Sequence, residues 1–132
     1  GALDASFGSG GKTLVPFDLV SHGGDLATDV IEQGNGKLVF SGYAANSADG
    51  SAIDAAVVRL NADGTPDTQF GTLGKRAIDF SLTLPGAQLA FGVALRPRRI
   101  LIGGGVLTST AGDVDVFVAG LENSLIFANG FE

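Results

Sequence analysis

The chain has no cysteine, no methionine and no tryptophan, and only one histidine, one tyrosine and four prolines in 132 residues. Without cysteine there is no disulfide, no thiol nucleophile and no thiolate metal site. That suits a cytosolic protein, and equally a bacterial secreted protein that does without bridges. With His22 as the single histidine, the usual zinc ligand sets are out of reach. A Ser–His–Asp triad would need His22, and nothing in the sequence brings a serine and an aspartate to it. Basic residues are few: 8 Lys and Arg against 14 Asp and Glu, a net charge of −6. This argues against nucleic acid and anionic membranes as partners. No apolar run reaches the about 18 residues of a membrane helix. The nearest, residues 100–107, is interrupted by Gly103, Gly104 and Gly105. The chain does not begin with methionine, so Gly1-Ala2 is expected to be the remnant of a cleaved signal peptide or of a tag.

What is present is a repeat. The motif Leu3-Asp4-Ala5-Ser6-Phe7-Gly8 returns as Pro66-Asp67-Thr68-Gln69-Phe70-Gly71, a spacing of 63 residues from Asp4 to Asp67. Residues 37–42 align with 99–104 at a spacing of 62, and residues 54–60 with 115–121 at 61. Each lost residue falls in a turn. A sheet tolerates deletions there, because a slip inside a strand would exchange its two faces. A fixed internal period signals a stacked or radial repeat architecture. The length fits one domain, residues 1–132, with repeats at 3–65 and 66–121 and a tail at 122–132.

The units read as β. Glycine supplies 21 residues, about twice average usage, and hydrophobic residues make up 45% of the chain. Short runs rich in Val, Ile, Leu and Phe are bounded by Gly, Asn, Asp or Pro. They place four strands per repeat: residues 12–18, 26–33, 37–43 and 53–60, then 75–80, 89–95, 99–106 and 115–121. Asn35-Gly36 signals a type I′ hairpin turn, and Asn61-Ala62-Asp63-Gly64 a second turn with Gly64 in the left-handed position. Both faces of several strands are apolar or small, as in Leu89, Phe91 and Val93 against Ala90, Gly92 and Ala94. A sheet with a wet face would show polar residues on it. Each sheet is therefore expected to pack on both sides.

Three motifs carry a family resemblance. They are Leu3-Asp4-x-x-Phe7-Gly8-x-x-Gly11, Gln33-Gly34-Asn35-Gly36-Lys37-Leu38-Val39-Phe40-Ser41-Gly42 and Asp54-x-x-x-x-Arg59-Leu60-Asn61-Ala62-Asp63-Gly64. Together they resemble the delta-60 repeat family of exported bacterial proteins, whose repeats are expected to form β-propeller-like blades. The second repeat departs from the pattern: it lacks the turn glycine before Arg99 and carries Gly120-Leu121-Glu122 in place of Arg-Leu-Asn. The resemblance brings no catalytic residue or ligand with it. The ending Phe127-Ala128-Asn129-Gly130-Phe131-Glu132 resembles a Phe-x-x-Gly-Phe-Glu terminus of exported bacterial proteins, so Glu132 is expected to be the natural end.

Candidate chemistry is sparse. Asp4 and Asp67 are expected to accept backbone N–H groups in turns, and Phe7 and Phe70 to be core. The acidic run at 61–67 does not have the ligand spacing of a calcium loop, and reads as a turn. Residues 46–54 read as an exposed acidic loop. Gly103-Gly104-Gly105 lacks the Lys-Ser/Thr and the helix of a phosphate loop, and reads as a bulge or close backbone approach. Arg96, Arg98 and Arg99, with Lys75 and Arg76, form the basic cluster; it reads as a solvated turn, with an anionic glycan or the acidic groups of a neighbouring chain as other occupants. Sugar sites favour Trp or Tyr, which leaves only Tyr43.

The expectation is an all-β protein of two four-stranded antiparallel propeller-like blades. Two blades do not close a ring of the usual four to eight. Oligomerisation, with a trimer of six blades favoured, would complete it. The expected role is a non-enzymatic, exported structural or interaction module, secreted, periplasmic or on a bacterial cell surface. No catalytic residue, metal, cofactor or membrane insertion is expected. The alternative is a glycan-binding module with sites between blades.

Overall fold

The computed structural model describes residues 1–21, 23–80 and 86–123. Seven strands lie among them: β1 (Asp25–Glu32), β2 (Leu38–Ala45), β3 (Ile53–Leu60), β4 (Lys75–Ile78), β5 (Gln88–Arg96), β6 (Arg99–Leu107) and β7 (Val114–Glu122). They form two antiparallel sheets, ordered β1-β2-β3-β4 and β5-β6-β7. The all-β expectation holds, with one correction: the second sheet has three strands among the described residues.

The boundaries of sheet and repeat do not coincide. The first sheet takes its fourth strand from the start of repeat two, with Ala55 facing Ile78 and Val58 facing Lys75. Residues 12–18, expected as a strand, join neither sheet among the described residues. Lys12 makes only an isolated bridge to Gly8. The segment is nevertheless laid out like a strand from Thr13 to Phe17, with inner and outer residues alternating. A β ladder needs an edge to bond to, and among the described residues no strand edge is hydrogen-bonded to this segment.

Turns follow local chemistry. Gly36 N–H donates to the Gln33 carbonyl at 2.8 Å, and Gly64 N–H to the Asn61 carbonyl at 2.9 Å. Gly36 and Gly64 take positive φ, 79° and 82°, while Asn35 does not. The Asn35-Gly36 turn is therefore not type I′. It is a turn closed by one left-handed glycine, with Asn35 Oδ1 accepting Lys37 N–H. In the second sheet the corresponding hairpin is tightened to Pro97-Arg98, and Arg98 itself is left-handed at φ 60°. Both first strands bulge at the same repeat position, between Ala27 and Asp29 and between Ala90 and Gly92. Opposite the bulges, Gly42 and Gly104 leave no room for a Cβ against the Leu26 and Leu89 carbonyls. The triple-glycine run is thus a close backbone approach beside a bulge, as expected.

The core lies between the sheets. Val39, Ala55 and Val57 from the first meet Ala90, Ile100, Ile102 and Phe117 from the second, with Phe70 included. The Phe80 and Phe117 rings pack at a tilt of 51°, their centres 4.7 Å apart. A smaller cluster sits on the far side of the first sheet, where Phe17 packs on Ala44 and Ala56. Two polar bonds cross between sheets at the first bulge: Thr28 Oγ1 donates to the Ala90 carbonyl at 2.7 Å, and Val93 N–H to Asp29 at 3.0 Å. Each sheet thus packs fully on one side. On the opposite face the first sheet carries the Phe17 cluster, and the second sheet exposes Val116 and Val118.

Candidate functional site

Two features rise above the scaffold: a buried ionic clamp and a pair of outer apolar faces. The clamp joins the second repeat's opening motif to the first sheet. Arg59, on β3, is 1% exposed. Its Nε donates to Asp67 Oδ2 at 2.7 Å, and one terminal nitrogen donates to Asn123 Oδ1 at 2.9 Å. The guanidinium also stacks 4.7 Å from the centre of the Phe70 ring. Lys37 Nζ donates to the same Asp67 oxygen at 2.7 Å and to Asn61 Oδ1 at 3.2 Å. Burial alone would push the Asp67 carboxyl up. The Lys37 ammonium, the Gln69 N–H and the Arg59 guanidinium outweigh burial and hold it below the ordinary carboxylate value. A carboxylate held ionised by two cations is a poor general base, and its oxygens are already bonded. The clamp is a fastener.

The outer faces differ in form. On the second sheet Val116 and Val118 are 87% and 70% exposed, and Val114 and Phe91 are exposed beside them. On the first sheet Leu26 and Val30 are exposed. There residues 13–17 run along the face and leave a groove of about 210 Å³, lined by Val15, Phe40, Tyr43, Val58 and Leu60 among others. Surfaces of this kind mark interaction sites on soluble proteins.

The residues singled out in the sequence fall as follows. Asp4 accepts the Ser6 N–H at 2.9 Å and hydroxyl at 2.6 Å, the turn role expected. Asp67 has that role towards Gln69 N–H at 3.1 Å, and adds the clamp. Phe70 is core. Phe7 is only half-buried, against Gly64, so the two are not equivalent anchors here. In the run 61–67, Asp63 bonds Thr65 and Asp67 bonds the cations, so the carboxylates do not converge. In residues 46–54, Asn46 bonds Asp54 at 2.7 Å. Burial pushes the Asp54 carboxyl up. Arg96, Arg98 and Arg99 stand on the β5–β6 hairpin, whereas Lys75 Nζ turns to the Pro16 carbonyl at 2.8 Å. His22 and residues 124–132 lie outside the described residues.

Arg59 was missed as a fastener. A signal for it exists: Arg59 precedes the motif aspartate Asp67 by eight residues, and the second repeat has Gly120 in its place.

A family described as "Domain of unknown function (DUF5122) beta-propeller" matches residues 33–70. The match runs from the β1–β2 hairpin through β2 and β3 to the clamp aspartate and Phe70. It agrees with two antiparallel, propeller-like blades, and with a module of the protein-interaction type. No curated protein and no solved structure matches the chain.

Proposed function

We propose that the protein is a non-enzymatic structural or interaction module, of the delta-60 type, in which identical two-blade chains complete a propeller. Three chains give six blades. The observation behind this is the pair of opposed, exposed apolar faces, Val116 and Val118 on the second blade and Leu26 and Val30 on the first. Burying apolar area is worth about 25 cal/mol per Å², so such faces favour association. Light scattering tests it. Three times the 13.3 kDa chain mass is expected. A monomer at micromolar concentration would rule the assembly out. The resemblance of the motifs and of the terminal residues to exported bacterial proteins supports secretion or surface location, which cell fractionation would check.

Glycan binding is the second reading, because Tyr43 lines the groove on the first blade. The groove's other walls are largely apolar, which favours a protein occupant. Specific capture on a glycan array, lost in Tyr43→Ala, would support the glycan.

A further inference from the structure

We propose that a second copy of this chain docks head to tail on the second blade, adding its residues 12–15 as a fourth strand along the outer edge of β7. This rests on the self-assembly reading and names the surfaces involved. The chain already contains one such junction, between its own blades. There β4 adds to β3 with Val57 facing Arg76. Asp67 of the following motif bonds Lys37 of the preceding blade at 2.7 Å. Val39 and Val57 of the preceding blade fill the space against the following one.

All but one of the parts of that junction recur, without a partner among the described residues, in residues 3–15 and on the second blade. The sheet order ends at β7, whose outer edge pairs with no strand among the described residues. An unpaired edge of this kind templates strand addition. By the repeat spacing, β4 corresponds to residues 12–15 and Val57 to Val118. Among the described residues, the backbone of Thr13, Leu14 and Val15 makes no backbone hydrogen bond, and Leu14 is 93% exposed. The register carried over sets Thr13 against Val118, Leu14 against Phe117 and Val15 against Val116. Leu14 would then cover Phe117, as Ala77 covers Ala56 in the first blade.

The charges agree. Asp4 is exposed and bonds only within its own turn among the described residues. Arg99 stands where Lys37 stands in the first repeat, and has no ion pair among the described residues. The second copy's Asp4 would meet it. The groove on the first blade, where residues 13–17 lie against the sheet, corresponds to the space that Val39 and Val57 fill between the blades. Leu101 and Val118 stand at the matching positions on the docking blade. One element is missing. Gly120 replaces Arg59, so the junction between chains lacks half of the clamp and is weaker than the one within a chain. The contact is heterologous, as a closing ring requires.

The absence of cysteine makes a clean test possible. Facing residues of a ladder have Cα atoms about 4.5–5.5 Å apart, within the about 4.4–6.8 Å of a disulfide. Thr13→Cys and Val118→Cys chains, co-expressed and oxidised, are expected to cross-link chain to chain. Neither alone should do so, and the double variant should give a covalently closed ring. An oligomeric mass with no cross-link in the mixture, or with Val118→Cys linking to itself, would overturn the head-to-tail contact and leave self-assembly standing. A monomeric mass would overturn both. As a second variant, Leu14→Asp alters an exposed residue and should keep the strand signal in circular dichroism while reducing the mass to that of one chain. Unchanged assembly would overturn the proposed strand.

Discussion

Residues 3–15 and 66–78 carry the same motif and meet different surroundings. Asp67 is buried between two cations, Phe70 is in the core, and β4 is laddered onto β3. Asp4 is exposed, Phe7 is half-buried and residues 13–15 pair with nothing described. The half of each motif that faces its own blade is alike: Asp4 with Ser6 matches Asp67 with Gln69. The other half depends on a preceding blade, which among the described residues only the second motif meets. A motif conformation is therefore local, while its burial is supplied from the neighbour.

The sharpest way to break this comparison is to delete the acid in each motif. Asp67→Ala leaves Arg59 buried without its anion and should cost about 3–5 kcal/mol. Asp4→Ala should barely move the denaturation midpoint of the chain. Equal shifts in urea titration would show that the two environments are the same.

Next come the rings. Phe70→Ala should cost about 3–5 kcal/mol as a core truncation. Phe7→Ala should cost about 1–2 kcal/mol, because a half-buried ring loses only part of its transfer energy. Matching losses would place Phe7 in a full core.

Glycine substitutions probe what the repeats share. Gly42→Ala and Gly104→Ala each drive a Cβ into a carbonyl of the bulged strand, so both should cost about 1–3 kcal/mol. Gly24→Ala meets nothing within 4 Å and serves as the neutral control. If only one blade responds, the bulges are not equivalent.

Acid should act through the second motif. Asp67 is held below its unfolded value, about 3.9. Its contribution is complete above that value and is lost as pH falls through the folded one. Asp54 has the opposite sign: burial raises it, so its contribution is present at low pH and lost as pH rises. Asp67→Asn should therefore flatten the loss of stability between about pH 4 and 2, read by denaturation at each pH. An unchanged slope would remove Asp67 from the acid response.

Calcium should do least. The carboxylates of residues 61–67 are committed to Thr65, Lys37 and Arg59. Neither calcium nor chelator should then move the melting temperature beyond an ionic-strength control. A saturable rise would indicate a native-state site.

Much of this was readable in the residues. The 63-residue spacing, the turn glycines Gly36 and Gly64 and the short apolar runs determined seven of the eight strands and the equivalence of the repeats. These are local properties: a turn needs its glycine, and a strand its alternation, whatever lies elsewhere. The tertiary structure alone decided where one blade ends. Lys75–Ile78 and residues 12–15 hold the same place in the repeat, yet among the described residues only the first finds an edge, because a β ladder is a contact between distant segments and one segment's sequence says nothing of the other's presence. The same holds for Arg59. Its charge reads as surface in sequence, and only the fold, by placing Asp67, Asn123 and Phe70 around it, makes burial affordable.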